Sequence, residues 1–193
     1  MMRGRWVARL TVWTIGLAAL LLAGAGCAEQ PYYSEYTFNP QPAVVQVFQR
    51  GDTKTPVATV LASVIGIHRG DPDRGRPPTI DIRLRFENNG PAPINFDPTT
   101  LDLVTGTLFP FSRPQVSPPM PIDLPPGQRA EVTASFPFPP NTAPDNLNMT
   151  NLRLRWTVRV NNFAVAQTAL FERSGSAYAT APGGYNSNSD VAF

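Results

Sequence analysis

One cysteine and one histidine occur in 193 residues. A lone cysteine, Cys27, excludes an intramolecular disulfide, although small exported domains often depend on such bridges. The fold must therefore rest on its apolar core. A lone histidine, His68, leaves no second imidazole for a zinc or copper pair, and Met120 and Met149 stand far from it in sequence. Nucleophilic catalysis finds no support either: there is no Gly-x-Ser-x-Gly elbow, and nothing places two carboxylates in a common cleft. The expectation is a protein with no enzyme activity, no metal and no cofactor. Net charge is scarce too. The formal +2 includes Arg3, Arg5 and Arg9. Without those three, 16 − 3 = 13 basic residues face 14 acidic ones, a balance of −1. No broad basic field remains to attract nucleic acid. No stretch shows a convincing helical period. Proline is abundant, with 22 copies, and so many helix breakers favour short strands.

The chain opens on a basic segment without acids, MMRGRWVAR, followed by the apolar run LTVWTIGLAALLLAGAG over residues 10–26. A basic start, an apolar middle and a small-residue end form a secretory leader. A membrane-spanning helix needs about 20 apolar residues. This run is shorter and ends in Gly and Ala, so a cleaved leader is expected over 1–26, with a retained single-span anchor as the alternative. Cys27 stands where the small residues end. Gly26, Ala25 and the nearby Leu21 and Leu22 make this junction resemble the lipobox of bacterial lipoproteins, with Gly24 where that family carries Leu. The resemblance implies that Cys27 is acylated on its thiol and becomes the mature N-terminus. The protein would then be a membrane-anchored lipoprotein of the cell envelope. By the same resemblance Ala28 at the following position leaves export to the outer membrane open, and that membrane, on its periplasmic or surface face, is the expected location. Several acyl chains anchor a protein stably where one does so only marginally.

Residues 27–42 have no periodicity and read as a lipidated tether. At about 3.1 Å per residue a polyproline-like tether would reach roughly 45 Å. Its Tyr32, Tyr33, Tyr36 and Phe38 leave two alternatives open: rings resting at lipid headgroups, or an edge strand added to the domain. Residues 43–173 then carry repeated strand signals. TIDIRLRFE (79–87), RAEVTASFPF (129–138) and LRLRWTVRV (152–160) alternate with one apolar face each, the pattern of half-buried strands. AVVQVFQ (43–49), VATVLASVIGI (57–67), INF (94–96), LDLVTG (101–106) and FAVAQTALF (163–171) add shorter or fully apolar runs. Gly66 suggests a bulge, and Asn161-Asn162 a two-residue hairpin turn. Seven to eight antiparallel strands make an all-β, immunoglobulin-like sandwich the expected fold, with Trp156 in its core. The Gly/Ser/Asn-rich tail, 174–193, reads as disordered.

The stretch IRLRFENNGPAPINFDPTTLDLVTG, followed by LPPGQRAEVTASFPF, resembles two groups. These are the small immunoglobulin-like domains of bacterial surface lipoproteins and the water-stress WHy domain of late-embryogenesis-abundant proteins. The resemblance spans roughly 79–171 and implies a fold and a non-catalytic role, with no site residues to transfer.

Few residues suggest chemistry of their own. Arg69-Gly70-Asp71, in the loop HRGDPDRGRPP (68–78), matches an adhesion tripeptide, but a Pro/Gly/Asp loop is also what a turn requires. The proline loop 111–127 is long enough to cross between sheets. Five outward arginines form the strongest candidate: Arg83 and Arg85 on one strand, Arg153, Arg155 and Arg159 on another. If those strands were neighbours in one sheet, all five would share a solvent face and offer a patch to an anionic envelope partner, such as lipid headgroups or an acidic glycan. The competing reading is ordinary charge on the wet side of alternating strands. The functional expectation is a lipid-anchored binding or structural module. The alternatives are an accessory subunit of an envelope assembly, or a periplasmic hydrolase with an unrecognised site. Expected partners are the membrane, through the lipid, and a protein or anionic envelope component.

Overall fold

The alternation of TIDIRLRFE becomes the centre of a sheet. The computed structural model describes residues 32–49, 51–52 and 54–174. Eleven strands occur among them, in chain order β1 (Thr37–Asn39), β2 (Ala43–Phe48), β3 (Pro56–His68), β4 (Thr79–Asn88), β5 (Ile94–Phe96), β6 (Asp102–Thr105), β7 (Gln115–Ser117), β8 (Ile122–Leu124), β9 (Arg129–Pro137), β10 (Asn151–Val160) and β11 (Phe163–Ser174). They form two antiparallel sheets. The first has the order β2-β3-β4-β9-β7; the second has the order β1-β11-β10-β5-β8, with β6 also paired to β10. The all-β sandwich expected from the sequence is what forms. All eight expected strands are present. β1, β7 and β8, three residues each, are too short to show a period and owe their extended form to the strands beside them.

The core lies where the inward faces meet. Ile80, Ile82, Leu84 and Phe86 from β4 oppose Leu152, Leu154, Trp156 and Val158 from β10, all at most 2 % exposed. The Phe86 and Phe96 rings stack with centroids 4.4 Å apart. Each such side chain contributes about 1.5–3 kcal/mol by leaving water, which lets the domain stand without a crosslink.

Three irregularities shape the surface. In β3 the register shifts between Val64 and Gly66, so Ile65 is the extra residue of a bulge at the position the glycine suggested. Gly66 has φ +154°, and a Cβ there would lie 3.0 Å from the Tyr32 ring. Asn161 and Asn162 take φ +48° and +67° and close the β10–β11 hairpin, as amide side chains permit. Buried Asn88 donates through Nδ2 to the carbonyls of Ala92 and Leu124, at 2.9 and 2.8 Å, and accepts from Gly90 N–H through Oδ1. It thereby ties the Asn-Asn-Gly turn to the Pro-Gly corner.

The N-terminal segment is more deeply integrated than a tether over 27–42. Tyr32 bridges to His68, and Tyr33 N–H donates to the Ile67 carbonyl. β1 pairs with the end of β11, and β2 returns to β3 in the first sheet. Tyr36 and Phe38 are buried. Of the two alternatives for these aromatics, the added edge strand is the one that forms, and the extended span of about 45 Å does not apply. The proline loop does cross between sheets, placing β7 in the first and β8 in the second. The expected leader, Cys27 and the tail beyond Ser174 lie outside the described residues.

Candidate functional site

The five arginines do not share a face. Arg83 and Arg85 lie on β4, whose neighbours are β3 and β9 in the first sheet. Arg153, Arg155 and Arg159 lie on β10 in the second sheet. In a sandwich the outward faces of the two sheets point in opposite directions, so the expected single patch is corrected to two separate sets. Acids also interleave with them. Arg83 pairs with Glu131 at 3.3 Å; Arg85 and Arg129 converge on Glu87 at 3.4 and 3.2 Å. Arg155 pairs with Asp102 of β6, which stands opposite it in the ladder. Arg153 and Arg159 have no ion-pair partner among the described residues.

The 68–78 loop closes on itself. Gly70 has φ +71°, and a Cβ there would come within 2.6 Å of the Arg76 carbonyl oxygen. Asp71 and Arg76 close the loop through paired backbone bonds, and Arg74 pairs with Asp71 at 3.3 Å. The Arg-Gly-Asp run thus builds a turn. His68 Nδ1 accepts from Gly70 N–H at 3.1 Å, and its ring stands edge-on to Tyr32 at 5.5 Å. Among the described residues no three His, Cys, Asp or Glu side chains gather in a way that could hold a metal ion.

What the fold does assemble is an aromatic clasp around the entering chain. Tyr32 lies against Gly66 and donates from its hydroxyl to Asp81 Oδ2 at 3.0 Å. Thr79 donates to Asp81 Oδ1 at 2.9 Å. Asp81 points outward by alternation, yet this cover leaves it 8 % exposed. Tyr36 donates to Asp145 Oδ1. The Arg173 guanidinium sits 4.2 Å from the Tyr36 ring centre and donates to the Glu35 carbonyl, while Arg69 lies 5.0 Å from the Tyr33 ring. Burial, then the bond to Asp81, raises the Tyr32 pKa above its ordinary value. Burial, then the bond to Asp145, does the same more strongly for Tyr36. Both hydroxyls therefore stay protonated as donors. Four aromatic rings within residues 32–38 were the sequence signal for this clasp; Asp81, Asp145 and Arg173 come from strands and loops far along the chain and carried none.

One open cleft borders the clasp, and another lies at the β10–β11 turn. One, of about 560 Å³, is lined by Tyr33, Arg69, Arg76, Phe138 and prolines from two loops. Its walls offer apolar and cationic contact. The other, of about 400 Å³, is lined by Pro93, Ile94, Asn95, Asp123, Arg159, Asn161 and Asn162. Asn95 donates to Asp123 there at 2.7 Å. Asp97, nearby, is held below the ordinary carboxylate range by the Thr99 hydroxyl and then the Thr99 N–H, with Arg159 a lesser influence. Amides, one carboxylate and one guanidinium suit hydrogen bonding to a polar ligand.

No family model matches the chain, and no curated protein matches its sequence. Among solved structures, a FixG-related protein from Vibrio parahaemolyticus is similar at 14 % identity and a TM-score of 0.38, covering 62 % of this chain and 99 % of its own. The yjhA protein from Bacillus subtilis is similar at 16 % identity and a TM-score of 0.34, covering 55 % and 77 % respectively. Likenesses this loose carry no functional argument.

Proposed function

We propose that the chain is a cell-envelope lipoprotein, acylated at Cys27 and held at the outer membrane, whose β-sandwich acts as a non-catalytic binding or structural module. The observation that carries this reading is the spacing between Cys27 and the clasp. Only Ala28, Glu29, Gln30 and Pro31 separate Cys27 from Tyr32, which is already bonded to the sandwich. Five residue steps span at most about 18 Å. A lipid at Cys27 therefore keeps the domain against the membrane surface, and the clasp fixes which part of it is held there. The two clefts offer apolar, cationic and amide contacts to an envelope partner, without a nucleophile–base pair in their walls. Metabolic labelling with a fatty acid tests the anchor. Wild type should incorporate label and sediment with membranes, and Cys27→Ala should lose the label and appear in the soluble fraction. Label that persists in Cys27→Ala would sink the assignment.

A further inference from the structure

On one side of the sandwich both sheet edges are blunted. β7 is three residues long and runs straight into Pro118 and Pro119. β8 is three residues long, with Asp123 at its centre and Pro121 and Pro125 flanking it. Short strands, proline and charge are the ordinary means of preventing edge-to-edge pairing. On the opposite side β1 is likewise three residues long and is followed by Pro40 and Pro42, but the strand edges it leaves open carry neither device. Among the described residues β2 (AVVQVF) is the edge of the first sheet, and β1 covers β11 only at Glu172–Ser174. Residues 164–170, AVAQTAL, contain neither charge nor proline. Val160 pairs with Phe163 across the two-residue turn, so the odd-numbered residues of β11 bond to β10. The backbone N–H and C=O groups of Ala164, Ala166, Thr168 and Leu170 point to the open edge. This is the same parity by which Glu172 and Ser174 meet β1. Leu170 is 55 % exposed, and Val44 on β2 is 61 % exposed.

We propose that this edge is the interface of a twofold homodimer, in which β11 pairs antiparallel with β11 of a second copy. A twofold contact requires a self-complementary surface, and this strand provides one. With Ala166 on the axis, Ala164 lies opposite Thr168, Val165 opposite Gln167 and Phe163 opposite Ala169. Every outward-turned backbone donor in 164–168 then meets an acceptor, no like charges face each other, and the small side chains allow a flat approach. The register stops short of Glu172, where β1 begins to cover the strand. The placement of the chain entry points to a second copy as the occupant. The twofold axis runs along the sheet normal, so both first sheets lie in one layer. Tyr32 enters at the rim of that sheet, beside β3, and therefore sits at equal height in both copies. Their upstream segments can reach a single membrane surface. That compatibility rests on the proposed anchor; the edge itself does not.

The test uses the full chain, in membranes and in mild detergent. Mild oxidation of Ala166→Cys should give a disulfide-linked dimer, because Cα atoms directly opposite in a ladder lie about 5.5 Å apart. Ala166→Lys and Ala166→Glu should each be monomeric by light scattering, and co-expressing the two should restore a one-to-one dimer. That rescue separates loss of pairing from loss of folding. The same series in a Cys27→Ala background should dimerise identically, which keeps the interface distinguishable from the anchor. A monomeric wild type, association unchanged by Ala166→Lys, no rescue on mixing the charges, or open-ended oligomers in place of a dimer would each overturn the proposal.

Discussion

At Trp156 two effects of similar size oppose each other. The indole is 2 % exposed, and its Nε1–H has no hydrogen-bond partner among the described residues. A buried unmet donor costs about 1–3 kcal/mol. Removing the five-membered ring leaves a gap whose cost is similar. Trp156→Phe should therefore change unfolding free energy by less than about 1 kcal/mol, whereas Trp156→Ala should cost about 3–5 kcal/mol; urea titration distinguishes the two. The clasp tyrosines set an alkaline limit. Unfolded, a tyrosine loses its proton near pH 10; folded, Tyr32 and Tyr36 hold theirs to higher pH. Above pH 10 the unfolded state binds fewer protons, so this contribution is complete below pH 10 and declines as pH rises through the folded values. Denaturation midpoints measured from pH 9 to 11 should fall, and Tyr36→Phe should flatten the fall.

The β10–β11 hairpin shows how local chemistry reaches an element. Both turn residues have positive φ, a conformation that glycine adopts without steric cost. Asn162→Gly should therefore raise stability by up to about 1 kcal/mol, seen as a higher thermal midpoint. This turn, the bulge at Gly66 and eight of the strands were legible because alternation, apolar runs and turn chemistry are local properties. The inward set Ile80, Ile82, Leu84 and Phe86 could be read directly from spacing. β1, β7 and β8 could not: three residues contain less than two periods, β5 of the same length was picked out only as the apolar pair Ile94 and Phe96, and a partner strand decides their state. Asp81 shows the same limit. Its side of the strand was readable, but its burial depends on Tyr32, 49 positions away.

For the whole molecule, alternation says which side of a strand faces water but not which sheet the strand joins. Arg83 and Arg155 each read correctly as outward, and only the ladder partners put them on opposite sides of the sandwich. The domain start was hidden for a related reason. Residues 32–42 look like a proline-rich linker, yet two of their aromatic rings complete the core. A chain beginning at Tyr32 keeps Tyr36 and Phe38 for the core. One beginning at Ala43 loses the burial of Tyr36 and Phe38 and should be less stable by about 4 kcal/mol. That is a large share of the 5–15 kcal/mol typical of a domain, and thermal unfolding of the two fragments checks it. The clasp also has a mechanical consequence. Tension applied through the chain upstream of Tyr32 is first resisted where Tyr32 and Tyr33 meet β3, and then passes along β1, which lies antiparallel to β11. A pull along the strand axis loads the rungs of that ladder together instead of one at a time. The sandwich is thus fastened at its entry point like a cleat on a rope, and drag on the domain is shared among several hydrogen bonds before any strand leaves its sheet.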